Sequence, residues 1–193
     1  MEKAYKMFNE DLTCTLGRGK FQYEPGVWYE ETEKEANCHR NGFHASKNPL
    51  DCLNYYPDFE KSQCWIVEID GDIDEDATDS KVSAQRIRLL RRITLPEFVC
   101  AAALYIEAHP DMPYHRTVTV DADAKTNRNH FAIAVGECPI AKGKTGDVIA
   151  LLRIRVGSRE VAESNCFMID GEQFRQDVWY GVDGKEVCGD QKK

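Results

Sequence analysis

Apolar and polar residues alternate along much of the chain with the two-residue period of β-strands. Residues 4–8 (AYKMF), 42–46 (GFHAS) and 64–73 (CWIVEIDGDI) follow this period, and the last of them ends at an Asp-Gly turn signal. Residues 82–93 begin and end with β-branched residues, which favours a strand there over the helix that the central Leu-Leu-Arg-Arg would also allow. These segments predict a β-sheet in the first half of the chain.

Two further segments predict helices. Residues 49–56 carry apolar side chains at helical spacing, and Asn48 stands before them as an N-cap. Residues 98–109 follow a capping box formed by Thr94 and Glu97. The sheet and these helices predict an α+β domain over residues 1–110, built on a small split β-sheet.

After residue 110 the pattern changes to short apolar steps separated by small residues. Residues 115–124 alternate as a strand, and residues 129–157 are rich in alanine and glycine. This composition indicates either stacked β rungs, at most two, with small side chains facing a narrow interior, or an ordinary meander. Residues 166–174 and 178–187 predict two strands that turn at Asp-Gly steps. Residues 111–193 are therefore predicted to form a β-rich C-terminal region with short Gly/Ala rungs.

The composition favours a folded protein of the cytoplasm. The 193 residues include 25 basic and 33 acidic side chains, a net charge of −8, and 42% are hydrophobic. The acidic balance argues against a protein that coats nucleic acid. No apolar run approaches the roughly 18 residues of a membrane span, and the first residues lack the apolar core of a secretory signal.

The eight cysteines are predicted to be reduced thiols. No export signal is visible, and several cysteines stand in apolar stretches, where the thiol behaves as a small hydrophobic group. Zinc is the alternative, because Cys38, His39 and His44 are close together and Cys52 follows. Their spacing matches no standard zinc module, so no metal is predicted.

A run of carboxylates from Asp70 to Asp79 is the first candidate for chemistry. It fails as an EF-hand, because Glu75 stands where the loop needs glycine and Lys81 where it needs glutamate. A solvated loop is the simplest interpretation, although one of the carboxylates could be catalytic if it faced a pocket.

Basic residues and histidines supply the other candidates. On a strand, Arg86 and Arg88 share one face, where they would either hold a phosphate or protect an edge strand by charge. His44 stands between Phe43 and Ala45, a setting more typical of a core histidine than of a catalyst. Neither a serine-hydrolase motif nor a glycine-rich phosphate loop occurs.

Three segments resemble a family of small proteins of bacteriophages and gut bacteria that has no assigned activity. They are AYKMFNEDLTC, FQYEPGVWYE and GFHASKNPLDCLNYY. The resemblance covers most of the chain, and those relatives often carry a Gly/Ala-rich repeat in the second half. It implies a phage-encoded interaction or anti-defence protein that binds a host protein or a signalling nucleotide inside the bacterial host cell.

The order GFHAS, NPLDCLNYY, WIVEIDGDIDED over residues 4–93 also resembles the ADP-ribosyltransferase fold, closest to the rifampin ADP-ribosyltransferases. The resemblance implies NAD as cofactor and places Lys6, His44 and Asp76 at the catalytic positions. It allows Phe43 as an alternative to His44, and with NAD as the cofactor Arg86 and Arg88 are the expected partners of its phosphates. Lys6 replaces a histidine or arginine there, and its amine is a more flexible point charge.

Three functions stay open on these grounds. The first is a phage-type cytoplasmic interaction or anti-defence protein with a nucleotide-binding-like pocket and no intact catalytic motif. The second is an NAD-dependent ADP-ribosyltransferase or NAD glycohydrolase that uses the degenerate Lys6, His44 and Asp76 site. The third is a structural or assembly component that forms oligomers through its C-terminal β region. Whether the protein is an enzyme is left open.

Overall fold

A computed structural model describes residues 1–14, 19–32, 35–38, 40–76 and 79–187. Among these residues, strands account for 45% and helices for 11%, so the described part of the chain is mostly β and is built from several sheets. The predicted α+β fold with a two-helix, ADP-ribosyltransferase-like domain was therefore wrong. The physical reason is the segment between the strands at 43–46 and 62–75, which forms only one short 3-10 helix, Pro49–Asn54.

The backbone packs as two units, Met1–Thr94 and Leu95–Lys193. The long helix that the sequence predicts at 98–109 is present as α1 (Leu95–Ala108). It falls in the second unit, whereas the sequence pattern placed the boundary later, near residue 110. Its buried face, which includes Phe98, Val99 and Ala102, packs on strands of that unit.

The first unit is a sheet that closes on itself. Its strands are β1 (Glu2–Asn9), β2 (Thr13–Cys14), β3 (Phe21–Gln22), β4 (Trp28–Glu30), β5 (Phe43–Ser46), β6 (Ser62–Glu75) and β7 (Lys81–Ile93). β6 and β7 form a long antiparallel hairpin, and β7 also pairs with β5 and β4. β1 pairs with β6 along its whole length but with β5 through one register pair, Tyr5 opposite Ser46. β1, β5, β7 and β6 therefore form a ring with a weak seam between β1 and β5, and β2 and β3 form a separate two-stranded sheet.

Strand alternation on β1 decides what faces the interior of this ring. Ala4 and Phe8 belong to the buried apolar cluster, and Lys6 shares their parity and is itself buried. The cluster is completed from the hairpin mainly by Val67, Ile69, Ile87 and Leu89. Lys6 thus stands between two buried apolar residues on the same face of the strand.

The Asp-Gly step at Asp70 and Gly71 does not end the strand, contrary to the sequence prediction. β6 continues to Glu75, and a bulge between Asp70 and Ile73 absorbs the register shift. Gly71 permits the bulge, because its φ is +80° and a Cβ there would lie 2.7 Å from the side-chain oxygen of Gln85. The acidic run therefore begins within the strand and not in a loop.

The 3-10 helix begins where the sequence predicts. The Asn48 side chain accepts a hydrogen bond from the Leu50 N–H at 3.0 Å, which confirms the N-cap. The Asp51 carboxylate accepts hydrogen bonds from the backbone N–H and the hydroxyl of Ser80, at 3.0 and 2.6 Å. These bonds attach the helix to the start of β7, and so fix the segment that follows it.

The second unit stacks short parallel strands beneath α1. Its strands are β8 (Val118–Val120), β9 (Ala124–Lys125), β10 (Phe131–Gly136), β11 (Ile140–Lys142), β12 (Val148–Ile154), β13 (Val161–Met168) and β14 (Tyr180–Gly181). β8, β10 and β12 run parallel, as do β9 and β11, and small residues such as Ala134 and Ala141 are buried between the two sheets. β13 and β14 pair antiparallel at the ends of these sheets.

Candidate functional site

A cavity of about 230 Å³ opens at the seam of the first unit. β1 and β5 pair at Tyr5 and Ser46, and the pairs that would follow along this antiparallel ladder, Lys6 opposite Ala45 and Met7 opposite His44, are not formed. The side chains of Met7 and His44 line the space between the strands instead. The cavity therefore exists because the ring of strands is incomplete at this point.

Lys6 is the central polar residue of this cavity. Its side chain is 7% exposed, and its Nζ donates a hydrogen bond to the backbone carbonyl oxygen of His44 at 2.6 Å. Nζ also lies 5.5 Å from the ring centre of Phe8 and 5.7 Å from that of Tyr23. In the part of the chain that the structure describes, no carboxylate pairs with Lys6. Burial lowers the pKa of this amine from its usual value.

A buried ammonium without a carboxylate is costly. An unpaired charge in an apolar site is tolerated by loss of the proton or by a bound counter-ion. The carbonyl and the rings around Lys6 reduce this cost but carry no negative charge. The arrangement therefore suits either a neutral amine or an anionic ligand in the cavity.

Lys81 lines the same cavity, but a carboxylate balances its charge. Its Nζ lies 3.2 Å from a carboxylate oxygen of Asp76, and the two side chains are 14% and 6% exposed. Nζ also lies 5.8 Å from the ring centre of Tyr55. Burial acts to lower the pKa of Lys81, but hydrogen bonds to Asp76 and Tyr55 outweigh it and the pKa is raised. Lys81 therefore keeps its proton at neutral pH.

Tyrosine and cysteine side chains form much of the remaining wall. Burial, together with the neighbouring Cys14 thiol, raises the pKa of Tyr56. Burial also raises the pKa of Tyr5 and Tyr55, and it raises the pKa of Cys52 to about 12. These groups are uncharged at neutral pH, so the phenols can donate hydrogen bonds and present flat apolar faces.

The structure brings together two of the three predicted catalytic residues, and the third contacts a residue that lines the same cavity. Lys6 and His44 both line the cavity and are joined by the hydrogen bond to the His44 carbonyl. Asp76 is not among the cavity-lining residues, but its carboxylate pairs with Lys81, which is. Phe43 lies in an aromatic cluster, with its ring centre 6.0 Å from that of Phe21. It is not among the cavity-lining residues, for which the structure supplies three tyrosines instead.

Arg86 and Arg88, the predicted phosphate-binding residues, lie away from the cavity. Their register on β7 places them opposite Asp70 and Glu68 of β6, and each pairs with that carboxylate. Both guanidinium groups also stack over the ring of Trp28, at 4.7 and 4.8 Å. The arginines thus already have anionic partners from their own sheet.

Sequence reasoning did not identify the tyrosines or Lys81 as site residues. Lys81 entered the sequence analysis only as a mismatch to a calcium loop, and Tyr55 and Tyr56 only as the end of a helical segment. The available signal was the position of Lys6 between Ala4 and Phe8 on one strand face. A lysine at a core-facing position is rare enough to indicate a site.

The zinc alternative has no support from the described residues. Among them, no group of three or more His, Cys, Asp or Glu side chains is arranged to hold a metal ion. His39, one of the candidate ligands, lies outside the described residues. The backbone N–H of Cys38 donates to the Asp74 carboxylate at 2.8 Å, and its thiol lies 3.0 Å from the Asp74 carbonyl oxygen.

The fold and the cavity define a mostly β protein of two units with a small pocket at a strand seam. The chain belongs to the family described as "Domain of unknown function (DUF7666)", whose model matches residues 2–101. All the cavity-lining residues fall within this match. Comparisons with curated proteins and with solved structures found no match. Among the described residues, no helix has the length and apolarity required to cross a membrane.

Proposed function

We propose that this chain is a cytoplasmic, phage-type interaction protein whose first unit binds a small anionic nucleotide, in an anti-defence role that sequesters a signalling nucleotide of the host. The observation that carries the proposal is the Lys6 amine, which is buried at a cavity with no carboxylate partner in the described chain. A phosphate in the cavity would supply the missing negative charge.

The size of the cavity favours a mononucleotide over NAD. Its 230 Å³ is below the roughly 300–1,000 Å³ that is usual for pockets of drug-sized ligands. A dinucleotide would extend well beyond this space. The rings of Tyr55 and Tyr56 offer flat surfaces on which a single base can stack.

The charges favour a small anion that is recognised at short range. The protein carries a net charge of −8, so its overall field repels anions. The cavity has the opposite character, because Lys81 is charged and balanced by Asp76 while Lys6 has no such balance. Selectivity would therefore come from contacts inside the cavity and not from long-range attraction.

Saturation-transfer NMR with AMP tests the proposal. The wild type is expected to transfer saturation to the adenine protons. Lys6→Met is expected to bind AMP at least about tenfold more weakly, which corresponds to about 1.4 kcal/mol, because the amine that pairs with the phosphate is gone. Inorganic phosphate is expected to compete with AMP.

The matched control is Lys61→Met, which removes a lysine that is 80% exposed and not among the cavity-lining residues. This variant is expected to bind AMP as the wild type does. The proposal fails if the wild type shows no transfer from AMP, or if Lys6→Met and Lys61→Met bind AMP equally well.

A further inference from the structure

The amine of Lys6 combines features that make a lysine a nucleophile as well as a cation. It lies at an open cavity, it has no acidic partner in the described chain, and the rings of Phe8 and Tyr23 stand beside it. One of its N–H bonds is directed to the His44 carbonyl oxygen at 2.6 Å. A neutral amine held in this way keeps its lone pair for reaction.

We propose that Lys6 forms a reversible imine with a small phosphorylated aldehyde, such as the open-chain form of a pentose phosphate. The proposal rests on the proposed function, since it uses the same cavity and the same anionic class of ligand. It adds a covalent step that an intact nucleotide cannot undergo, because the sugar carbon of a nucleotide is already bonded to the base.

The step is balanced without any oxidant or reductant. The Lys6 nitrogen adds to the carbonyl carbon, and the carbonyl oxygen takes up a proton to give a carbinolamine. The nitrogen then loses its proton and the hydroxyl leaves as water, so amine and aldehyde become imine and water. Burial favours this reaction, because it lowers the pKa of Lys6 and so raises the fraction of neutral amine.

The other cavity residues provide complementary contacts. Lys81 keeps its proton through Asp76 and lines the same cavity, so the cavity retains an ammonium group when Lys6 reacts as the neutral amine. The proton that the departing hydroxyl takes up is the one that the nitrogen releases, so the step needs no further acid, and the neutral Tyr56 phenol forms part of the cavity wall. Two lysines in one cavity thus have different roles, one charged and one reactive.

Reductive trapping tests the proposal on the full chain. The protein is incubated with ribose 5-phosphate and cyanoborohydride, which converts an imine into a stable secondary amine, and adducts are located by peptide mass spectrometry. A single adduct on Lys6 is expected from the wild type and from Lys61→Arg, and no adduct at residue 6 is expected from Lys6→Arg. Ribose without the phosphate is expected to label Lys6 at least several-fold more slowly.

The outcomes separate this inference from the proposed function. AMP carries no free aldehyde, so AMP binding without a Lys6 adduct overturns the imine and leaves the nucleotide pocket in place. Adducts spread over exposed lysines, with Lys6 unlabelled, also overturn it. If the wild type neither binds AMP nor forms the adduct, both proposals fail. Because the adduct is mapped on the wild type, the result does not depend on whether Lys6→Arg folds.

Discussion

Phe8→Ala is expected to lower the free energy of unfolding by about 3–5 kcal/mol, the range for removing a fully buried aromatic ring. Phe8 has no exposed surface, and its ring centre lies 5.0 Å from that of Tyr23. The Lys6 amine lies 5.5 Å from its ring centre, so the loss of Phe8 also removes a neighbour of that amine. Urea denaturation followed by tryptophan fluorescence measures the change.

Phe21→Ala is the matched control for this prediction. Phe21 belongs to the same aromatic cluster, with its ring centre 4.7 Å from that of Tyr23, but it is 44% exposed. Its removal is expected to cost about 1 kcal/mol, the value of an aromatic pair at a partly exposed site. Equal losses for the two variants would contradict the view that the interior of the strand ring, and not the aromatic cluster as such, stabilises the first unit.

Strand alternation predicted the individual strands of the first unit but not how they close. The pattern at 4–8, 42–46, 64–73 and 82–93 is local, and the structure contains a strand in each segment. Closure depends on β7 pairing with β6 on one edge and with β5 on the other, contacts that no local period encodes. The bulge after Asp70 was also missed, because an Asp-Gly step is a turn signal in isolation and a bulge only when a partner strand continues beside it.

The fold class was misjudged because the apolar spacing of a short segment does not determine which type of helix it forms or how long that helix is. Leu50 and Leu53 have helical spacing, and Asn48 is a true N-cap, yet the segment forms only a 3-10 helix over Pro49–Asn54. Hydrogen bonds from Ser80 to the Asp51 carboxylate attach the segment to the start of β7. Because the first unit keeps only this 3-10 helix and α1 falls in the second unit, the first unit is a closed sheet and not a layered α+β domain.

The candidate site was predictable only in part. Lys6 and His44 were selected by resemblance to a fold that the structure does not support, yet both line the cavity. What places them there is the missing pair between Met7 and His44, which depends on the closure of the ring. Lys81 comes to the cavity from β7, far along the chain, and its pairing with Asp76 across the hairpin end is visible only in three dimensions.

Lys6→Met is expected to raise the free energy of unfolding by about 1–3 kcal/mol near pH 6, because a buried polar group without a full set of partners costs roughly that amount. Methionine has a similar length and carries no charge. It loses the hydrogen bond to the His44 carbonyl, but that oxygen borders a cavity of about 230 Å³ that has room for water.

The difference in stability between Lys6→Met and the wild type is expected to depend on pH. The pKa of Lys6 is lowered in the folded protein, so between that value and its ordinary value near 10.5 the folded chain binds fewer protons than the unfolded chain. Wild-type stability therefore rises with pH through this window, whereas below the folded pKa the full cost of burying the ammonium is present. Methionine does not titrate, so the advantage of Lys6→Met is expected to shrink as the pH rises.

Urea denaturation of both proteins at several pH values between about 6 and 9 measures this difference. Buried thiols such as Cys52, whose pKa is raised to about 12, destabilise the fold only above their ordinary pKa of 9.0, which is the upper limit of this range. Lys61→Met should show no pH-dependent difference from the wild type, because its amine is exposed in the folded state.

A Lys6→Met protein that was less stable than the wild type at every pH would make Lys6 a structural residue. A more stable variant that no longer binds AMP would instead mean that the fold carries the buried amine at a cost in stability and that its role is to bind ligand.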